Sequence, residues 1–301
     1  MHTALGLTAY AGILKLAHMS VTSLKESPST AAAHFTVAHR PVLSASHVKE
    51  LKESGLVVID NVLTAEELEQ TRAQVIRMLD HTKEFQDDPN DNLEIRSDSV
   101  TWISEKMSNF HKSVTDGALM QTMRFLRSIP FELTSDHGFD PKDLGVPLSN
   151  QLACYDGKGS NYVAHRDAPA VVGKVDWVLQ PGVYDREITM VLYLNNSTWD
   201  SSTSDGDNCD GNLRCFLNTE ADDITGETAS EVRNIAPIGG RLVIFDSKRV
   251  LHAVLPTSQR RIALTSWIGG SHSSNQWLRN LCIPYSEVDW EYLKKRFSFS
   301  S

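Results

Sequence analysis

Between residues 147 and 270 the sequence is broken into short apolar runs, and this pattern constrains the fold more than any other feature of the chain. The runs are rich in β-branched and aromatic residues, which favour strands. Clusters of Gly, Pro, Asn and Asp separate them, as turns do. Strands are predicted at residues 148–155, 162–167, 187–195, 213–217, 232–235, 241–245, 250–255 and 262–268. Strands in this number, following helical segments, predict a mainly β fold with flanking helices, either a sandwich or a jelly roll.

The helical segments lie mostly upstream of the strands. Helices are predicted at residues 46–54, from Thr64 onward, at residues 115–128 and around residues 290–297. Gly55 provides a C-cap for the first helix. Thr64 and Glu67 form a capping box for the second. Pro130 is expected to end the third, because proline lacks the N–H that a helix interior needs.

The triplet His165-Arg166-Asp167 is the first chemical signal. On a strand, residues two apart point to the same face, so His165 and Asp167 would lie side by side. Such a triplet alone is weak evidence for a metal site, because it often arises by chance. A second histidine, His252, lies within the apolar run 250–255, where a lone histidine is usually a packed core residue. Because distant strands of a jelly roll face each other across two sheets, we expect His252 to complete a two-histidine, one-carboxylate iron site.

Arg261 is the third signal. Residues 256–259 resemble a hairpin turn, which predicts that Arg261 lies on the strand beside that of His252. A buried arginine without a partner is costly. A bound dicarboxylate would satisfy it, since guanidinium pairs with carboxylate at two points. A structural ion pair with a protein acid is the alternative. Arg260 is expected to face the opposite way, toward solvent.

Residues 151–269 resemble the catalytic core of the prolyl 4-hydroxylase superfamily, and within it the hypoxia-inducible-factor prolyl hydroxylases of the EGL-nine family. The matching motifs are residues 153–157, 162–167, 193–195, 211–214 and the stretch from His252 to Arg261. A weaker match, residues 96–103, corresponds to the family's segment near the substrate entrance. The resemblance covers roughly residues 46–270. It implies a double-stranded β-helix, or jelly roll, with helices packed on one sheet.

The resemblance also implies roles for individual residues. Fe(II) would be held by His165, Asp167 and His252, and 2-oxoglutarate by Arg261 and the hydroxyl of Tyr193. Further residues expected at the co-substrate are Tyr155, which would line the iron pocket, and Thr265 and Trp267, which share the inner face of their strand with Arg261. For the two tyrosines, plain core packing is the alternative.

Substrate residues are expected at the mouth of the jelly roll. Trp102, Arg96 and Asp98 would contact the substrate there, with core packing as the alternative for Trp102. Residues 171–185 depart from the family, since they are longer and more apolar than its substrate-closing loop.

The activity that the resemblance implies is the hydroxylation of a prolyl residue in a protein, with O2 and 2-oxoglutarate consumed and succinate and CO2 released. L-Ascorbate is an expected cofactor, and oxygen sensing an expected role. Three alternatives stay open. The same chemistry could act on a small molecule, it could act on another residue type, or the chain could be a jelly-roll binding module without turnover.

Residues 46–301 are interpreted as one dioxygenase domain with its core at residues 147–270, preceded by an N-terminal extension, residues 1–45. The first 40 residues contain a single acid, Glu26, and are rich in Ser, Thr and Ala, as organelle transit peptides are. A disordered tail is the alternative. We expect an intracellular protein of the cytoplasm or nucleus, with organelle targeting as a second option.

Composition limits the partners. The net charge of -9 argues against a nucleic-acid-binding face, which needs clustered Lys and Arg. No apolar stretch approaches the roughly 20 residues of a membrane span. The 4 cysteines form no CxxC pair and are interpreted as free thiols, with a disulfide between Cys209 and Cys215 as the alternative.

Overall fold

A computed structural model of the chain describes residues 40–81, 95–103, 117–134, 139, 144, 150–168, 186–199 and 210–269. Predictions for the N-terminal extension before residue 40, the loop at residues 171–185 and the helix around residues 290–297 fall outside these residues. The division of the chain into an extension and one domain therefore stays a prediction. None of the helices described is long and apolar enough to cross a membrane.

The described segments contain three helices and ten strands, which we number in chain order. They are α1 (Ala45–Ser54), β1 (Leu56–Ile59), α2 (Ala65–His81), β2 (Ser99–Ile103), α3 (Ala118–Thr134), β3 (Asn150–Tyr155), β4 (Ser160–His165), β5 (Arg186–Tyr193), β6 (Leu213–Leu217), β7 (Glu231–Ile235), β8 (Leu242–Asp246), β9 (Leu251–Thr257) and β10 (Arg261–Gly269).

The strands form two antiparallel sheets. The larger has six strands in the order β1-β8-β5-β10-β3-β2, and the smaller has four in the order β4-β9-β6-β7. Sequence-distant strands are neighbours in both sheets, as in a jelly roll. The predicted mainly β fold, a double-stranded β-helix with flanking helices, is confirmed.

Strand alternation divides the core into two layers. On β5, Leu192 belongs to the cluster that packs against the helices, whereas Val191 and Tyr193 belong to the cluster between the sheets. The same division holds on β8, where Ile244 faces the helices and Phe245 faces the other sheet. This alternation follows from the two-residue period of a strand. The inner layer positions polar side chains, as described below.

The helix ends agree with the sequence in two cases and differ in a third. Gly55 adopts φ 80° and closes α1, and Thr64 and Glu67 form the predicted capping box before α2. The prediction that Pro130 ends α3 is wrong, because the helix continues to Thr134. Pro130 is buried in the helix, as are Ile129 and Leu133, each 0% exposed. Their packing offsets the roughly 3 kcal/mol that an internal proline costs a helix.

Two expectations about strand neighbours are also wrong. The strand of Arg261, β10, is not paired with that of His252, β9, since the two lie in different sheets. Both edges of β9 are already occupied by β4 and β6, so the connection after β9 crosses to the other sheet instead of closing a hairpin. Conversely, His252 does not face His165 across the sheets. The two histidines are directly opposite each other on neighbouring strands.

Two of the four cysteines lie in described segments. Cys154 and Cys215 are free and buried, and burial raises the pKa of each thiol to about 12. Both therefore stay protonated at neutral pH and behave as core residues. The free-thiol prediction is confirmed for these two, and Cys215 is not in a disulfide.

Candidate active site

His165, Asp167 and His252 lie close together in one pocket. Their potential ligand atoms all lie within 4.8 Å of one another. The Nε2 atom of His165 is 3.8 Å from one carboxylate oxygen of Asp167, and that of His252 is 3.9 Å from the other. His165 ends β4 and Asp167 follows it, while β9 supplies His252. Among the residues described, this is the only cluster of three that could hold a metal ion.

Hydrogen bonds orient both imidazole rings. Nδ1 of His165 lies 2.8 Å from the carbonyl of Val163, and Nδ1 of His252 lies 3.2 Å from that of Val250. A carbonyl oxygen can only accept, so each Nδ1 donates its proton to the backbone, and Nε2 is the ring nitrogen left to bind a metal. A histidine that binds a metal is oriented in this way.

The carboxylate of Asp167 is held from β5. Thr189 donates its hydroxyl to Oδ2 of Asp167 at 2.7 Å and also lies 2.8 Å from the hydroxyl of Ser247. Arg186 donates to the backbone carbonyl of Asp167 at 3.2 Å. These contacts fix the rotation of the carboxylate relative to the two imidazoles.

The protonation states suit a cation. Burial lowers the pKa of His165, and the neighbouring His252 lowers it further, so the ring is neutral at neutral pH. Burial acts on Asp167 in the opposite sense and raises its pKa. Electrostatic interactions with His252, His165 and Arg186 and the hydrogen bond from Thr189 more than offset this, so that the pKa of Asp167 lies below its usual value. A neutral imidazole beside an ionised carboxylate is the state that binds a divalent metal.

Arg261 begins β10 and is only 2% exposed. Its Nε donates to the carbonyl of Gly211 at 2.8 Å, and one terminal nitrogen donates to the hydroxyl of Tyr193 at 3.3 Å. Its guanidinium carbon lies 5.0 Å from the ring centroids of both Tyr155 and Tyr193. Burial raises the pKa of Tyr193 to about 12, so this hydroxyl keeps its proton. No acidic side chain of the described segments forms an ion pair with Arg261, which removes the structural-ion-pair alternative there.

The metal-site cluster and Arg261 line the same pocket. Its lining residues are Arg96, Gln151, Ala153, Tyr155, Tyr162, His165, Asp167, Val191, Leu213, His252, Val254, Arg261, Ala263, Thr265 and Trp267. The predicted common face of Arg261, Thr265 and Trp267 is therefore confirmed. Arg260 is exposed, as expected. Tyr155 lines the pocket, whereas Tyr193 is fully buried and contacts the pocket residue Arg261.

The three residues expected at the substrate entrance have different surroundings. Arg96 lines the pocket and makes a two-point ion pair with Asp98, both bonds being 2.7 Å. Asp98 is itself buried. Trp102 packs against Trp267, with ring centroids 5.4 Å apart. Both interpretations of Trp102, wall and core residue, are compatible with this contact, so its role stays a prediction.

Sequence reasoning missed three residues that shape the site. Thr189 shares the inner face of β5 with Val191 and Tyr193. A polar residue at an inward-facing position of a strand could have indicated a role in the site. Arg186 lies 4.0 Å above the ring of Trp267, a contact between distant residues that no local pattern encodes. Asp210 is buried although it lies in a polar stretch of sequence, residues 201–211, which is typical of a solvated loop.

The residues present fit the iron and the oxoacid that the resemblance implies. Two Nε2 lone pairs and one carboxylate make the three-ligand facial set that non-haem Fe(II) prefers, with positions left open. A buried cation without an acidic partner in the described segments suits one end of a dicarboxylate. Both features open onto the same pocket.

The chain is similar to curated relatives and to solved structures. The chain is 29% identical to "Hypoxia-inducible factor prolyl hydroxylase" of Caenorhabditis elegans, over 74% of this chain and 28% of that protein. It is 28% identical to "Egl nine homolog 1" of Homo sapiens, over 72% of this chain and 44% of that protein. The chain thus spans less than half the length of these two curated relatives.

A solved structure shares the fold. It is a prolyl hydroxylase from Trichoplax adhaerens in complex with a hypoxia inducible factor oxygen degradation domain peptide fragment, with TM-score 0.58 and 24% identity, covering 78% of this chain and 91% of that one. The family model of the 2OG-Fe(II) oxygenase superfamily matches residues 150–269, which carry all three candidate metal ligands and Arg261. Over these residues the chain is therefore similar to the 2OG-Fe(II) oxygenases.

Proposed function

We propose that this protein is an Fe(II)- and 2-oxoglutarate-dependent dioxygenase that hydroxylates a prolyl residue in a protein substrate. The observation that carries the proposal is the pairing, in one pocket, of the His165, Asp167 and His252 cluster with the buried Arg261. A binding module without turnover has no need of both features. The printed names of the relatives support the prolyl substrate.

Each part of the pocket has a separate task in this proposal. His165, Asp167 and His252 would hold the iron on one side only, which leaves coordination positions for the oxoacid and O2. Iron held there would supply the oxidative chemistry, in which 2-oxoglutarate is converted to succinate and CO2 and a C–H bond of the substrate is hydroxylated. Thr189 keeps the carboxylate of Asp167 in place, and the Nδ1 bonds keep both rings in the ligating tautomer.

The oxoacid would be bound at its far carboxylate by Arg261. The guanidinium is planar and lies 5.0 Å from the ring centroids of two tyrosines, contacts that restrict the direction of its terminal nitrogens. The hydroxyl of Tyr193, which stays protonated, can donate to the same carboxylate. Thr265 and Trp267 would border the oxoacid along the same face of β10.

The substrate would approach over Arg96 and Trp102. Arg96 is held by Asp98 and lies over the ring of Tyr162, 4.7 Å from its centroid, at the pocket wall. A prolyl segment suits such a mouth, because its fixed φ presents the ring at low ordering cost. We further propose that L-ascorbate keeps the iron reduced, that the protein is intracellular and that the reaction serves oxygen sensing.

The test is a peptide-library assay. Purified protein is incubated with Fe(II), 2-oxoglutarate, ascorbate and proline-containing peptides, and mass spectrometry follows the gain of one oxygen atom while succinate is measured in parallel. We expect hydroxylation at proline, with succinate formed in equal amount. Hydroxylation at Asn, Lys or Asp alone would overturn the prolyl substrate but not the chemistry. Absence of iron-dependent succinate under all conditions would overturn the enzyme proposal.

A further inference from the structure

Resting on the function proposed above, we propose that Asp210 is a positioning residue for 2-oxoglutarate binding. Its buried carboxylate fixes the backbone of Gly211, whose carbonyl holds Nε of Arg261. Asp210 does not line the pocket and touches neither metal ligands nor co-substrate. It acts only through Arg261.

The carboxylate of Asp210 is enclosed by donors from a single turn. It is 4% exposed and accepts from the backbone N–H of Ser258 at 2.5 Å, the hydroxyl of Ser258 at 2.8 Å and the amide of Gln259 at 3.3 Å. All three donors are neutral, and within the described ranges no Lys or Arg forms an ion pair with it. Both oxygens are therefore used to tie the start of β6 to the connection between β9 and β10.

The backbone that follows is fixed from several directions. The indole of Trp199 donates to the carbonyl of Asp210 at 3.0 Å, and the N–H of Gly211 donates to the carbonyl of Pro256 at 3.0 Å. Gly211 adopts φ +65°, and a Cβ there would lie 2.9 Å from the hydroxyl of Thr257. Only glycine fits at position 211, because its φ is positive and its backbone lies too close to β9 for a Cβ.

This arrangement determines which edge of Arg261 is left for a ligand. Nε is occupied by the Gly211 carbonyl at 2.8 Å, and the two tyrosine rings restrict the plane of the guanidinium. One terminal nitrogen donates to the Tyr193 hydroxyl at 3.3 Å, and Arg261 lines the pocket, so a carboxylate bound there would meet its terminal nitrogens. Two-point recognition of a carboxylate tolerates little rotation of the fork. Without the hydrogen bonds of Asp210 to the connection between β9 and β10, Gly211 can shift. The guanidinium of Arg261 then rotates away from the direction in which it binds a carboxylate.

The test compares Asp210→Ala and Asp210→Asn with Glu132→Gln as the matched control. Glu132 is likewise a buried carboxylate, which accepts from the backbone N–H groups of Val42 and Leu43, but it lies in α3, remote from the pocket. For each protein, loaded with Mn(II), calorimetry gives the Kd of 2-oxoglutarate. A separate titration gives the Mn(II) affinity, circular dichroism reports folding, and steady-state assays with Fe(II) separate KM from kcat.

We expect Asp210→Ala to raise the Kd and KM for 2-oxoglutarate about tenfold, the lower end of the usual effect of an outer-shell partner. Mn(II) affinity and kcat should stay within about twofold, because the metal ligands are untouched. Asp210→Asn should recover part of the loss, since its amide oxygen can still accept from the Ser258 N–H. Glu132→Gln should leave the Kd unchanged, even if it lowers thermal stability.

An unchanged Kd in folded Asp210→Ala would overturn the inference, as would parallel losses of metal affinity and kcat. If the alanine variant does not fold, Asp210→Asn decides, and wild-type affinity in it counts against the role. Failure of the wild-type protein to bind 2-oxoglutarate would instead overturn the proposed function.

Discussion

The hydroxyl of Thr189 offers a clean perturbation of the candidate iron site. Thr189→Val keeps the shape of a fully buried side chain and removes one oxygen. That oxygen donates to Oδ2 of Asp167 at 2.7 Å and contacts the Ser247 hydroxyl at 2.8 Å. Because the acceptor is ionised, the lost hydrogen bond corresponds to about 1.5–3 kcal/mol.

This energy converts into a measurable affinity. Part of it appears as lower folding stability and part as a less well-oriented metal ligand, so we expect metal affinity to fall by about 10- to 100-fold. Titration with Mn(II) or with Fe(II) under anaerobic conditions measures the Kd. Thr189→Ser is the matched control, because it keeps the hydroxyl and should recover most of the affinity. A folded Thr189→Val protein that binds metal within about twofold of wild type would refute the reasoning.

Three further outcomes are expected. Arg261→Lys should raise the KM for 2-oxoglutarate about tenfold or more, a loss of about 1.4 kcal/mol, because an ammonium cannot make the two-point contact. Arg260 is exposed, so Arg260→Lys should have no effect on this KM. The reverse pattern in steady-state kinetics would show that the register assigned to β10 is wrong. Arg166→Ala should lower the free energy of unfolding by about 1–2 kcal/mol in denaturant titrations, because its guanidinium donates hydrogen bonds to Thr219 and to the carbonyls of residues 220 and 223. An unchanged free energy of unfolding would mean that these hydrogen bonds do not stabilise the fold. Mn(II) and 2-oxoglutarate together, each at about a hundred times its Kd, should stabilise the fold by at least about 2.7 kcal/mol, seen as a higher Tm; an unaltered Tm would mean that the ligands do not bind the native state.

Local patterns in the sequence predicted much of the site. Strand alternation alone placed Arg261, Thr265 and Trp267 on one face of β10, because the two-residue period is a property of the backbone. The same period explains why His165 and Asp167 point together. The helix caps at Gly55 and Thr64 were equally predictable, since each uses contacts within a few residues.

Non-local pairing could not be predicted in the same way. The turn after β9 has a hairpin-like sequence, but β4 and β6 occupy both edges of β9, and so Arg261 lies in the other sheet. Pro130 continues a helix because neighbouring core residues hold it there. Asp210 reads as part of a polar loop, and only the distant Ser258 and Gln259 make it a buried anchor. Each of these outcomes depends on which segments meet in space.

The central claim is that His165, Asp167 and His252 hold one catalytic iron. The most direct measurement compares wild type with His252→Ala, determining bound Fe(II) per chain under anaerobic conditions and the succinate formed after O2 is admitted. We predict one iron per chain and iron-dependent succinate for wild type, with both lost in the variant, since only two protein ligands remain. A folded His252→Ala protein that keeps stoichiometric iron and the wild-type rate of succinate formation would contradict the account.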